Sequence, residues 1–335
     1  MDFRTRVEWP HQTALKIRYS EEIMLMGSCF TDHIGNLLME HKFRCDLNPF
    51  GVLYNPLSIV ETLHELLQHK VYTCSDIFEG GGLWHSWMHH STFSAATSDD
   101  CLLLINERLQ HSAQQLRRAR WLIITWGTAY AYFHRELSGA LPYGGLVGNC
   151  HKQPDCCFER KRLSVDEIVG EWNLLIEELK AVNPDLNILF TVSPIRHIKD
   201  GLHGNQLSKS TLLLAVDTLC QRHDHCDYFP SYEILMDELR DYRFYADDMV
   251  HPSKLAVDYI WECFGNLYFD TETQQIMKEW LDIRKALRHK PFHPESEGYK
   301  RFLSQIVLKI NGLKEKFPYF EVQNELKECQ ALFQK

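Results

Sequence analysis

The sequence has no apolar run long enough to cross a bilayer, no CxxC pair, no internal repeat and no low-complexity segment. Each absence removes a class of protein. A membrane-spanning helix needs about 20 consecutive apolar residues, and Met1 to Arg6 lead into no apolar core of a secretory signal. Eleven cysteines are present, an odd number, and several, such as Cys101 and Cys263, sit inside apolar runs. They read as reduced, buried thiols rather than a disulfide framework. A cytoplasmic location is expected on these grounds. Basic character is also scarce. There are 36 Lys and Arg against 45 Asp and Glu, a net charge of −9, and the densest basic runs (117–120 and 160–162) are short. An acidic chain without a basic stripe is not expected to bind nucleic acid.

What is present is enough for a large enclosed core. The chain has 335 residues, of which 44% are hydrophobic, and α/β folds of this length often form one domain. Short apolar runs alternate with helical periods. Ile23–Met26, Phe43–Leu47, Trp121–Thr125, Asn187–Val192 and Tyr228–Phe229 read as strands. Helices are expected over 31–41, from Pro56, over 107–120 with Asn106 as N-cap, over 164–182 behind a Ser164/Glu167 capping box, and over 206–222. Residues 71–100 and 128–163 read as irregular excursions. Strands separated by helices imply parallel pairing with helical crossovers. The expected fold is a three-layer α/β/α sandwich with a mainly parallel, flavodoxin-like sheet over residues 1–270. A strand-free, charge-rich helical extension follows over 271–335, packed on the same domain or used for homo-oligomeric association.

Three features carry chemistry. Gly27-Ser28-Cys29-Phe30 puts a serine after a strand and at the start of a helix, where backbone N–H groups lack partners; the same pattern also describes a plain N-cap. Asp248-Met249-Val250-His251-Pro252 spaces a carboxylate so that it can orient an imidazole and stabilise the imidazolium, or it is a solvated acidic turn, with Asp247 the competing carboxylate. Gly51 and Gly127 each follow a strand and can offer a backbone N–H, or simply make a turn. In a parallel sheet a ligand sits beyond the carboxyl ends of the strands, which places Ser28, Gly51, Gly127 and Ser193 on one rim. Trp84, His85 and His89, in the aromatic segment 84–90, are candidates for stacking on a sugar or for core packing. Arg196 and His197 can receive an anionic group. Cys220, His223, His225 and Cys226 fit no common zinc spacing, so no metal is expected.

Together these residues resemble the SGNH (GDSL-like) hydrolases, and most closely the GSCFA-domain family within them. The resemblance rests on Gly27-Ser28-Cys29-Phe30-Thr31, Asn48-Pro49-Phe50-Gly51, Gly127-Thr128-Ala129, Gly148-Asn149-Cys150-His151-Lys152, Ser193-Pro194-Ile195-Arg196 and Asp248–Pro252. It implies Ser28 as nucleophile, His251 as base, Asp248 as its orienting carboxylate, and an oxyanion hole built from Ser28, Gly51 and Gly127. Such enzymes usually carry an asparagine two residues after the third-strand glycine. Here that position is Ala129, and Asn149 is expected to replace it. Thr128, His151 and Arg196 join Trp84, His85 and His89 as substrate-facing candidates. The implied activity is hydrolysis of a small O-acyl ester, such as an acetylated sugar, with no cofactor and no membrane partner. The alternatives are an acyltransferase of the same chemistry and a catalytically degenerate binding or assembly protein.

Overall fold

A computed structural model describes residues 5–8, 15–289 and 291–333; Met1–Arg4 and the last two residues of the expected extension lie outside the described residues. Five parallel strands form the central sheet: β1 (Glu22–Gly27), β2 (Arg44–Leu47), β3 (Trp121–Trp126), β4 (Asn187–Val192) and β5 (Cys226–Phe229), in the order β2-β1-β3-β4-β5. This is the flavodoxin-like order. β1, β3 and β4 are apolar without alternation because both sheet faces are covered. Met24, Met26, Leu122, Ile124, Ile188 and Phe190 enter one core, and Ile23, Leu25, Ile123 and Leu189 enter the other. The two sets alternate along each strand, as a pleat requires.

Helices complete the outer layers. On the first face pack α2 (Pro56–Leu67), α3 (Ser98–Arg118), α4 (Val165–Val182) and α5 (Gly201–Arg222); on the second pack α1 (Cys29–Glu40) and α6 (Lys254–Tyr268). The tail adds α7 (Thr271–Arg288), α8 (Glu297–Lys316) and α9 (Gln323–Phe333) to the second core. Trp280 of α7 is fully buried and donates its indole N–H to Glu40 O at 2.9 Å. Phe320 packs against Tyr19, which stacks on Phe43 with ring centroids 4.2 Å apart.

Four local expectations are corrected. Residues 77–86 form a hairpin, Ile77–Gly80 with Leu83–Ser86, turned by Gly81 and Gly82 at φ +61° and +79°; this is the backbone of a two-residue hairpin turn. Within 128–163, Tyr130–His134 pairs antiparallel with Leu146–Val147 on one side and Phe158–Arg162 on the other. α3 begins at Ser98, not at Glu107. Thr97 caps it by accepting from Asp100 N–H, while Asn106 turns sideways to bond both backbone groups of Tyr72. α5 likewise starts five residues before the expected Gln206, at Gly201.

Candidate active site

β1 ends at Gly27, where φ is +146° and an added Cβ would lie 2.2 Å from Thr125 O. Only glycine fits there. The turn makes Ser28 the N-cap of α1, and its Oγ accepts from Phe30 N–H at 3.3 Å. Ser28 is buried. Asn48, in the left-handed region with φ +44°, fastens this turn to the end of β2. Its Oδ1 accepts from Gly27 N–H at 2.9 Å, and its Nδ2 donates to Asp32 Oδ1 at 2.6 Å. Asparagine tolerates that backbone conformation, which the Asn-Pro pair in the sequence hinted at.

The second half of the site is the loop before α6. Asp248 Oδ2 accepts from His251 Nδ1 at 2.6 Å, and its Oδ1 accepts from the N–H groups of His251 and Val250, each at 2.9 Å. The two backbone donors first, and then the imidazole, pull the Asp248 carboxyl down to about 2. An ionised Asp248 holds the proton on Nδ1 and leaves the lone pair on Nε2, which is the tautomer a general base needs. Among the described residues, Asp247 makes no hydrogen bond to His251. The loop is clamped by Ala246 N–H to His251 O (2.8 Å), Arg196 N–H to Val250 O (3.3 Å) and Ser253 N–H to Phe244 O (2.8 Å). His251 therefore hangs from the end of β4, half-exposed.

Contacts run from Ser28 toward His251 through Gly127, Tyr54 and His197. A Cβ on Gly127 would lie 3.3 Å from both Ser28 Cβ and Tyr54 Cδ1, so these three residues meet. The Tyr54 ring stands edge-on to His197, centroids 5.9 Å apart. Burial pushes the His197 imidazole down to about 4, with the Lys209 cation next in effect and His251 a smaller one. Lys209, on α5, is fully buried and donates to Gly127 O at 2.7 Å and Ser193 O at 2.6 Å. It joins the ends of β3 and β4 beneath the rim. Burial brings its ammonium down to about 7, opposed by Cys29. Among the described residues, no hydrogen bond joins Ser28 directly to His251.

The backbone N–H groups expected to hold an oxyanion have partners within the chain: Ser28 with Thr125 O (3.2 Å), Gly51 with Asn48 O (2.8 Å), Gly127 with Tyr54 O (2.8 Å) and Asn149 with Trp87 O (3.0 Å). Buried backbone donors take the nearest carbonyl, and the Gly51–Tyr54 segment lies close enough to supply one. Thr128 N–H also donates to Tyr54 O, at 2.9 Å. The carbonyl of Tyr54 thus sits on two adjacent amides. The Asn149 side chain accepts from His151 N–H at 2.8 Å through Oδ1, which leaves its Nδ2 as a donor without a partner among the described residues.

The substrate-facing candidates divide. Arg196 is half-buried and lines an open cleft of about 350 Å³ with Met249. The others turn inward. Thr128 Oγ1 bonds Ser208 Oγ at 3.1 Å. His85 uses both ring nitrogens, on Ser94 Oγ (2.6 Å) and Gly80 O (2.9 Å). His89 is wholly buried, and burial pushes its imidazole down to about 3. His151 bonds Ser86 O at 2.8 Å and Ser91 Oγ at 3.3 Å. Trp84 packs partly buried against the core. The aromatic segment 84–90 is therefore a packed support for the Gly51 and Asn149 loops, not an exposed stacking surface. No group of three or more His, Cys, Asp or Glu side chains converges as a metal site among the described residues. No described helix is long and apolar enough to cross a membrane.

The model of the GSCFA family matches residues 22–264, and that of the GSCFA domain protein, C-terminal domain, matches residues 280–335. The chain belongs to the GSCFA family. In this GSCFA protein the first match runs from β1 into α6 and so contains both Ser28 and the Asp248/His251 loop. No curated protein matches the chain. Among solved structures, a family 3 carbohydrate esterase from Clostridium thermocellum is 9% identical, covering 77% of this chain and 97% of that one, with a TM-score of 0.35. A carbohydrate esterase family 3 from Talaromyces cellulolyticus is 10% identical over 77% and 99%, TM-score 0.37. A putative acylhydrolase from Bacteroides fragilis is 9% identical over 79% and 91%, TM-score 0.35. Likeness at this level carries no activity across.

Proposed function

We propose that this GSCFA protein is a serine hydrolase of small O-acyl esters, with Ser28 as nucleophile, His251 as general base and Asp248 as its orienting carboxylate. The observation that carries the reading is the 2.6 Å Asp248–His251 contact. It is held by an ionised carboxylate on the strand-end rim that also bears the Gly27–Ser28 turn. In the reaction, Ser28 Oγ bonds the acyl carbon as its proton passes to His251 Nε2 and the carbonyl π pair moves onto oxygen. The alcohol then leaves with the proton from His251, and water repeats the sequence on the acyl-enzyme. The oxyanion takes the N–H groups of Gly127 and Thr128 when Tyr54 O withdraws, with Asn149 Nδ2 as a further donor. Transfer to a sugar hydroxyl in place of water would use the same groups. An acetylated sugar substrate draws no support from Trp84, His85 and His89, whose rings are buried or packed against the core. Ser28→Ala and His251→Ala should each lower kcat on p-nitrophenyl acetate by about 10⁴-fold or more with unchanged circular dichroism. Normal turnover in a folded Ser28→Ala protein would exclude the mechanism.

A second reading has its own observation. Ser28 is buried, and the expected oxyanion amides are paired within the chain. A binding or assembly protein that retains the fold would look the same. It predicts that Ser28→Ala leaves cellular function intact.

A further inference from the structure

We infer that the open cleft beside the His251 loop binds a single-chain amphiphile with an anionic end, and that it holds the acyl side of the ester; the second half rests on the reading of Ser28 and His251 above. The cleft encloses about 350 Å³, within the range of small-molecule sites. Its walls include Ile198, Leu202, Leu235, Met236, Tyr242 and Met249. Four of these are large apolar side chains left in water: Ile198 is 66% exposed, Leu202 65%, Tyr242 76% and Met249 52%. Apolar groups so exposed at one place mark a groove rather than ordinary surface. Leu235 and Met236 belong to a π-helical turn, Ile234–Glu238, a local irregularity that often accompanies functional sites. Methionine adapts to chains of varied shape.

Three charged side chains, Arg196, Arg240 and Asp241, also line the cleft, and the one without an opposite charge sets the polarity of the ligand. Arg240 pairs with Asp237 at 3.1 Å and Arg243 with Asp241 at 3.3 Å. Arg196, half-buried at the same cleft, has no carboxylate partner among the described residues, and its Nη2 lies 3.3 Å from Met236 Sδ. A partly desolvated guanidinium without a counter-ion gains most from a carboxylate or phosphate, which it can hold through two parallel N–H bonds. The cleft is also joined to the candidate chemistry. Met249 lies between Asp248 and His251 in sequence, and Arg196 N–H holds Val250 O. Met249 thus belongs both to the cleft and to the loop that carries His251.

The test is calorimetric titration of the full chain with decanoate, acetate and decyltrimethylammonium, repeated on Ser28→Ala, Leu202→Asp and Arg196→Gln, each checked for native circular dichroism. Decanoate should bind saturably at one per chain, at least tenfold more tightly than either of the others. Ser28→Ala should bind it equally well, Arg196→Gln roughly tenfold more weakly, and Leu202→Asp not measurably. Equal affinity for decanoate and acetate would overturn the inference, as would binding unaffected by Leu202→Asp. So would a concentration-dependent dimer that Leu202→Asp dissolves while decanoate fails to bind, since a second copy would then be the occupant. Decanoate binding without any reaction of Ser28 with a fluorophosphonate would remove the hydrolase reading and the acyl assignment but keep the site. Reaction of Ser28 without decanoate binding would do the reverse.

Discussion

Asp248 is held by three donors, and the consequence belongs to that one side chain. Its carboxyl, at about 2, is charged at neutral pH. Asp248→Asn keeps the shape and removes the charge, so His251 loses its imposed tautomer. We expect kcat to fall by about 10⁴-fold while Asp247→Asn stays within twofold, measured on the same ester; the opposite ranking would mean that the wrong carboxylate was chosen. Lys209 gives a second prediction at this scale. Its ordinary value of 10.5 applies to the unfolded chain and about 7 to the folded one. Between those values the unfolded state binds more protons, so this group's contribution to stability is complete above about 10.5 and is lost as pH falls through 7. Urea unfolding of wild type and Lys209→Met should show the difference shifting toward wild type as pH rises from 7 to 10. A difference that is flat with pH would contradict the buried-cation account. The Ser28 turn and the Asp248–His251 contact were legible in the sequence because each sits in a short motif whose spacing has a chemical meaning. Lys209 and Tyr54 were not, because their roles come from carbonyls and amides that different strands bring to one rim.

At the scale of elements, legibility followed burial on both faces. β1, β3 and β4 are six-residue strands with five or six buried positions each, so their apolar runs stood out. The hairpin at 77–86 has strands of four residues with mixed burial, and its Gly-Gly turn was the only local signal. The start of α3 was missed although Thr97 and Asp100 form a cap, because the helix opens on the polar run Ser98-Asp99-Asp100. The C-terminal helices were readable as helices, with docking on the same domain and association both left open. Trp280 carries that docking. It fills the second core completely and bonds Glu40 O. Trp280→Ala should cost about 3–5 kcal/mol in urea unfolding, the range for a large aromatic removed from a core. A loss under 1 kcal/mol would mean that α7 is only loosely attached.

Across the whole molecule, a five-stranded parallel sheet gathers its strand ends at one rim. Gly27 turns Ser28 onto that rim from β1, and the β4 end anchors the loop that carries His251. The α2–α5 side buries one continuous core, while the tail helices thicken the other face. The chemistry at the rim is the central claim, and an activated serine is its signature. The direct measurement is intact mass of the purified protein after exposure to a fluorophosphonate probe, beside Ser28→Ala and His251→Ala. The account predicts a single adduct on the wild type that is absent from both folded variants. A folded wild type that takes no adduct, or an adduct that survives Ser28→Ala, would contradict it.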